Sequence, residues 1–109
     1  MTTVTAFSTT SGAAVIENLT TGQTVTQEIT SSYALCEQNA EWIVEDIEEN
    51  GTLVPFVDFG TVTFSSAIAS GPGGTTYTPS GATLIDIEQN GKVLTSVTTS
   101  GSTATIEYA

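Results

Sequence analysis

Short segments in which apolar residues alternate with Thr, Ser or other polar residues recur along this chain, separated by turn dipeptides built on glycine. A period of two marks a strand with one covered face, and Gly beside Asn, Thr or Ser supplies the positive φ of a tight reversal. Val4–Thr9 reads as a first strand and Ala13–Leu19 as a second. Thr21-Gly22 then turns into Thr24–Thr30, where Val25 and Ile29 share one face. Ala40–Glu48 reads as a strand ended by Glu49-Asn50-Gly51, and Leu53–Val57 and Gly60–Ala67 follow. Ser70-Gly71-Pro72-Gly73-Gly74 is a loop, because such a run cannot sustain a ladder. Thr83–Glu88, Asn90-Gly91 and Lys92–Thr98 form the clearest hairpin, since Asn-Gly satisfies a type I′ turn. Ser100-Gly101 leads into a last strand, Thr103–Tyr108. The expected class is all-β, an antiparallel sandwich or barrel, with residues 1–109 forming one domain and leaving no room for two.

A chain that is 39% apolar can bury a core. Its charge is lopsided: twelve carboxylates face a single cationic side chain, Lys92, for a net charge of −11. Nucleic-acid binding needs Lys and Arg to displace phosphate counterions, and attraction to anionic membranes needs them too, so both partner classes are excluded. Full protonation of the carboxylates would leave only Lys92 and the amino terminus charged. Self-repulsion is therefore greatest near neutral pH and nearly absent in acid, which points to an acidic working medium. No run reaches the apolar length that spans a bilayer. Met1-Thr2-Thr3-Val4 lacks the features of a signal peptide and reads as the start of a trimmed or mature segment given a start codon. Cys36 is the only cysteine, so no disulfide forms within the chain; by itself it reads equally well as an inert buried thiol. Asn18-Leu19-Thr20 and Asn50-Gly51-Thr52 fit the glycosylation sequon, a pattern that also arises by chance in a Thr-rich chain.

Six of the twelve carboxylates lie between Glu37 and Glu49. Strand alternation puts Glu41, Ile43 and Glu45 on one face and Trp42, Val44 and Asp46 on the other. Three readings follow. Charged runs commonly keep a sheet edge soluble. Asp46-Ile47-Glu48-Glu49-Asn50-Gly51 mimics the first half of an EF-hand loop, although Val57 stands at the twelfth position and the flanks read as strands. The third reading is a catalytic carboxylate. Residues four apart on a strand sit roughly 13 Å apart, so Glu41 and Glu45 cannot share a proton as a carboxylate dyad does. With no His in the chain, Ser-His and Cys-His nucleophiles and His-based metal sites are excluded. A carboxylate base here would need a neutral donor opposite it, such as an amide, to stabilise an oxyanion.

Cys36-Glu37-Gln38-Asn39-Ala40-Glu41-Trp42-Ile43-Val44-Glu45-Asp46, Leu53-Val54-Pro55-Phe56, Asp58-Phe59-Gly60-Thr61-Val62-Thr63-Phe64 and Ile85-Asp86-Ile87-Glu88-Gln89-Asn90-Gly91 together closely resemble the C-terminal half of glutamic peptidases of the eqolisin family. The resemblance covers essentially the whole chain. It implies a concanavalin-like sandwich of two curved antiparallel sheets with a substrate cleft on the concave face. In that family a Glu acts as general base on a water molecule, and a Gln polarises the scissile carbonyl and holds the tetrahedral intermediate. By motif position the base is Glu41, and Glu45 is the neighbour that lines the substrate cleft. The family's Gln lies in the N-terminal half, and Gln23, Gln27, Gln38 and Gln89 match none of its motif. Cys36 resembles a family cysteine whose disulfide partner belongs to that other half.

The resemblance thus implies a secreted, extracellular acid endopeptidase without cofactor or metal. Its substrate would be a polypeptide, and its partner the complementary N-terminal half or a second copy of the chain. The alternative is a non-catalytic half-domain that acts as an oligomeric assembly or binding module.

Overall fold

The computed structural model describes residues 1–109, which build twelve β-strands and one 3-10 turn, Pro72–Gly74. Every strand pairing is antiparallel. Two compact units divide the chain, Met1–Ala40 and Glu41–Ala109.

The first unit is a three-stranded sheet, β1 (Thr2–Ser8), β2 (Ser11–Glu17) and β3 (Thr24–Thr30), with β2 in the middle. Register sets Thr2, Ile16 and Val25 in one cross-strand row, Val4, Ala14 and Gln27 in the next, and Ala6, Gly12 and Ile29 in a third. These rows share a face, because every second residue of a strand points the same way. That face is apolar and open: Val4 is 77% exposed, Ile16 60%, Val25 68% and Ile29 50%.

A bulge interrupts the β1–β2 ladder, with Phe7 as the extra residue between Ala6 and Ser8. Close to it, a Cβ added at Gly12 would lie 2.5 Å from the Thr5 carbonyl oxygen. The obstacle is backbone and cannot swing aside. Gly12→Ala should therefore destabilise this sheet by about 2–3 kcal/mol, seen as lost amide-exchange protection across β1 and β2. Unchanged protection would mean that the ladder yields at no cost.

The second unit holds β4 (Glu48–Glu49), β5 (Thr52–Leu53), β6 (Thr61–Phe64), β7 (Ala69–Ser70), β8 (Thr76–Tyr77), β9 (Glu88–Gln89), β10 (Lys92–Val93), β11 (Thr95–Ser100) and β12 (Thr103–Tyr108). Its largest sheet has the order β11–β12–β6. The rows Val97–Ile106–Val62 and Thr99–Ala104–Phe64 turn inward, and the Ser96–Glu107–Thr61 row turns outward. Leu94, Ala104, Ile106 and Ala67 are buried. Thr95 is 2% exposed, yet its hydroxyl accepts a bond from the Ile87 amide and donates to Asp86 Oδ1, so burying it leaves no orphan. Phe56, Phe59 and Tyr108 cluster with ring centroids 5.8 to 6.3 Å apart, and the Tyr108 amide donates to the Gly60 carbonyl. These contacts anchor the 54–60 segment to the end of β12.

Three expected strands shrink. Ala40–Glu48 carries no ladder until β4, Leu53–Val57 pairs only at Leu53, and Thr83–Glu88 pairs only at Glu88. Pro55 offers no N–H, which limits pairing in the second. For the other two, no strand of this chain lies alongside in hydrogen-bonding register. The expected Ser70–Gly74 loop is the reversal between β7 and β8. Cys36 is exposed, which removes the buried-thiol reading.

Candidate active site

Residues 41–49, with five of the six clustered carboxylates, open the second unit, and Glu37 belongs to the first. From Glu41 to Ile47 burial alternates residue by residue: Glu41, Ile43, Glu45 and Ile47 are exposed, while Trp42, Val44 and Asp46 are half-buried. That is the alternation expected from the sequence, kept here without a ladder. Trp42 and Val44 prefer cover, and their inward turn carries the neighbouring carboxylates to the solvent side.

Asp46 is the member of the cluster that the fold engages. Its Oδ1 accepts a 2.9 Å hydrogen bond from Gln89 Nε2, and the same nitrogen donates to the Val54 carbonyl at 3.0 Å. Immediately beyond Asp46, the Val54 amide donates to the Ile47 carbonyl at 3.0 Å. The stretch that mimics half a calcium loop is thus the approach to the β4–β5 hairpin. Asn50 and Gly51 form its turn, with φ of 51° and 78°.

Glu41 and Glu45 lie together on the exposed side, and Cys36 belongs to the other unit. The sequence offered no reason to single out Gln89 beyond its place before the Asn90-Gly91 turn. What gives it a role is its contact with a residue 43 positions away. A depression beside it is lined by Glu48, Thr52, Leu53, Pro55, Gln89 and Asn90.

In an all-antiparallel β fold without His, the carboxylates displayed along one extended run are the first candidates for acid–base chemistry. The chain belongs to the Peptidase A4 family, whose model matches residues 1–108. It is 54% identical over 108 residues to aspergillopepsin-2 of Aspergillus niger, covering 97% of this chain and 38% of that protein. It is 37% identical over 113 residues to scytalidopepsin B of Scytalidium lignicola, covering 96% of this chain and 44% of that one. The crystal structure of aspergilloglutamic peptidase from Aspergillus niger superposes with a TM-score of 0.92 at 52% identity, covering 100% of this chain and 65% of that chain. The chain therefore shares the β-sandwich class of the glutamic peptidases, and it spans about two fifths of the length of the curated relatives.

Proposed function

We propose that this chain is the C-terminal half of an acid endopeptidase domain of glutamic type, with Glu41 as general base and Glu45 as a cleft-lining residue that contacts substrate. The observation that carries the reading is the exposure of Glu41 and Glu45 on one side of the Ala40–Asp46 motif, opposite half-buried Trp42 and Val44. In the reaction, Glu41 as carboxylate takes a proton from a water whose oxygen attacks the scissile carbonyl carbon. The charge that builds on the carbonyl oxygen is held by an amide donor, the proton passes to the departing nitrogen, and the C–N bond breaks. The donor is a Gln from the complementary N-terminal half, and Cys36, being exposed, is available for a disulfide to that half. A polypeptide substrate and a secreted location follow from the same reading, as does the acidic medium in which a chain of net charge −11 is least self-repelling. The relatives' names, aspergillopepsin-2 and aspergilloglutamic peptidase among them, support peptide-bond hydrolysis as the family chemistry.

One observation favours a second reading, a non-catalytic assembly module: the open apolar face of β1–β2–β3 suits a partner whether or not the assembly catalyses anything. Substitution separates the two. In the chain complemented by its N-terminal half, Glu41→Gln keeps the shape and removes the base, and should cost a hundredfold or more in kcat, roughly the contribution of general-base catalysis. Glu45→Gln should raise KM and spare kcat. Were Glu45→Gln to abolish turnover while Glu41→Gln was tolerated, the base would be Glu45. If the complemented chain showed no turnover at all, the assembly reading would stand.

A further inference from the structure

We propose that Gln89 is a positioning residue for the acidic segment, its side-chain amide holding the Glu41–Asp46 run in place where no backbone ladder does. The β4–β5 and β9–β10 hairpins are separate two-stranded sheets, and no ladder joins them. Gln89, half-buried on β9, bridges them. Its Nε2 donates to Asp46 Oδ1 at 2.9 Å and to the Val54 carbonyl at 3.0 Å, so both N–H groups of one amide have partners. Both partners are acceptors, which fixes the amide orientation; flipped, its oxygen would face two oxygens.

The clamp acts where the acidic run most needs it. Along Glu41–Asp46 no strand pairing sets the register, and the nearest backbone bond is the one from the Val54 amide to the Ile47 carbonyl, just past the end of the run. Because side chains alternate with a period of two, a slip of one residue would send Trp42 and Val44 to solvent and turn Glu41 and Glu45 inward. Tethering Asp46 to the inner side excludes that slip, and so determines the face on which the carboxylates stand. Gln89 hydrogen-bonds to neither Glu41 nor Glu45 and acts through Asp46. The inference rests on the peptidase reading only for its catalytic meaning; the conformational claim stands apart from it.

Trp42, the single tryptophan, lies within the tethered run and reports on it directly. Three variants of the 109-residue chain test the clamp: Gln89→Leu removes both donors at similar volume, Gln89→Glu sets a carboxylate against two acceptors, and Asp46→Asn keeps an acceptor facing Gln89. Acrylamide quenching of Trp42 should rise in both Gln89 variants. Exchange of the Val54 amide should quicken roughly tenfold, the scale of one lost net hydrogen bond. The Ile106 amide, in the central strand of the β11–β12–β6 sheet, should keep its protection. Asp46→Asn should resemble the parent. If Gln89→Leu does not fold, Asp46→Leu removes the acceptor while leaving the bond to Val54, and the same rise in Trp42 quenching is expected. Parent-like Trp42 quenching in the Gln89 variants would overturn the proposal. So would an equal loss of protection at Ile106, which marks general destabilisation, or an Asp46→Asn variant as loosened as Gln89→Leu. None of these readouts depends on Glu41 being the base, so failure here and failure of the peptidase reading are told apart.

Discussion

Supplied with the N-terminal half of a glutamic peptidase domain, this chain should cleave an unfolded polypeptide in mild acid, where its net charge of −11 is partly neutralised, whereas the 109-residue chain alone should cleave it negligibly. The expectation follows from dividing the reaction between two groups. On the proposed reading, Glu41 takes a proton from water only while it is ionised. The oxyanion formed in the same step needs a donor already in position, and losing one such donor elsewhere costs about a hundredfold to a thousandfold in rate. The amide that the fold does aim at a carboxylate, Gln89, is occupied by Asp46 and the Val54 carbonyl and has no N–H to spare. Complementation should therefore raise turnover by at least the donor's share, with further gain from substrate positioning. The recovered activity must disappear with Glu41→Gln, which excludes a contaminating protease. If the lone chain cleaved substrate in a Glu41-dependent way, the requirement for a second segment would fall.

The second large effect is on association. Val4, Ile16, Val25 and Ile29 are each at least half exposed on one face of the β1–β2–β3 sheet, and that face carries no charged residue. Covering them would gain on the order of 5 kcal/mol before the cost of association is met. The outer strands β1 and β3 also each present an unpaired edge. At tens of micromolar, as a rough working range, light scattering should report a dimer or larger species rather than a monomer. Association should strengthen as pH falls, because a net charge of −11 opposes it at neutral pH and protonation relieves that repulsion. Exposed Cys36 should add a reducible covalent dimer under oxidising conditions. Val25→Lys, placing a charge on the open face, should shift the population toward monomer. A parent chain that remained monomeric throughout would show that this face needs no cover.

Local chemistry was enough to read several features from the sequence. The Asn90-Gly91 turn takes φ of 53° and 76°, as its residue types require, and Thr24–Thr30 and Thr103–Tyr108 form strands with the boundaries that alternation gave them. The two faces of Glu41–Asp46 were legible for the same reason: a period of two depends only on each residue and its neighbours. The family motif likewise lies within contiguous segments. Pairing was not legible, because a ladder needs a second strand about 4.8 Å away, and periodicity does not say whether one is there. Ala40–Glu48 alternates as a strand yet carries no ladder before Glu48. Gly12 lost room for a side chain only when the fold brought the Thr5 carbonyl against it, and Gln89 acquired its role only when Asp46 and Val54 arrived within hydrogen-bond distance. Backbone preference and alternation are short-range properties that sequence writes directly; which distant groups meet is settled by packing, and in this protein the tethering of the acidic segment depends on such a meeting.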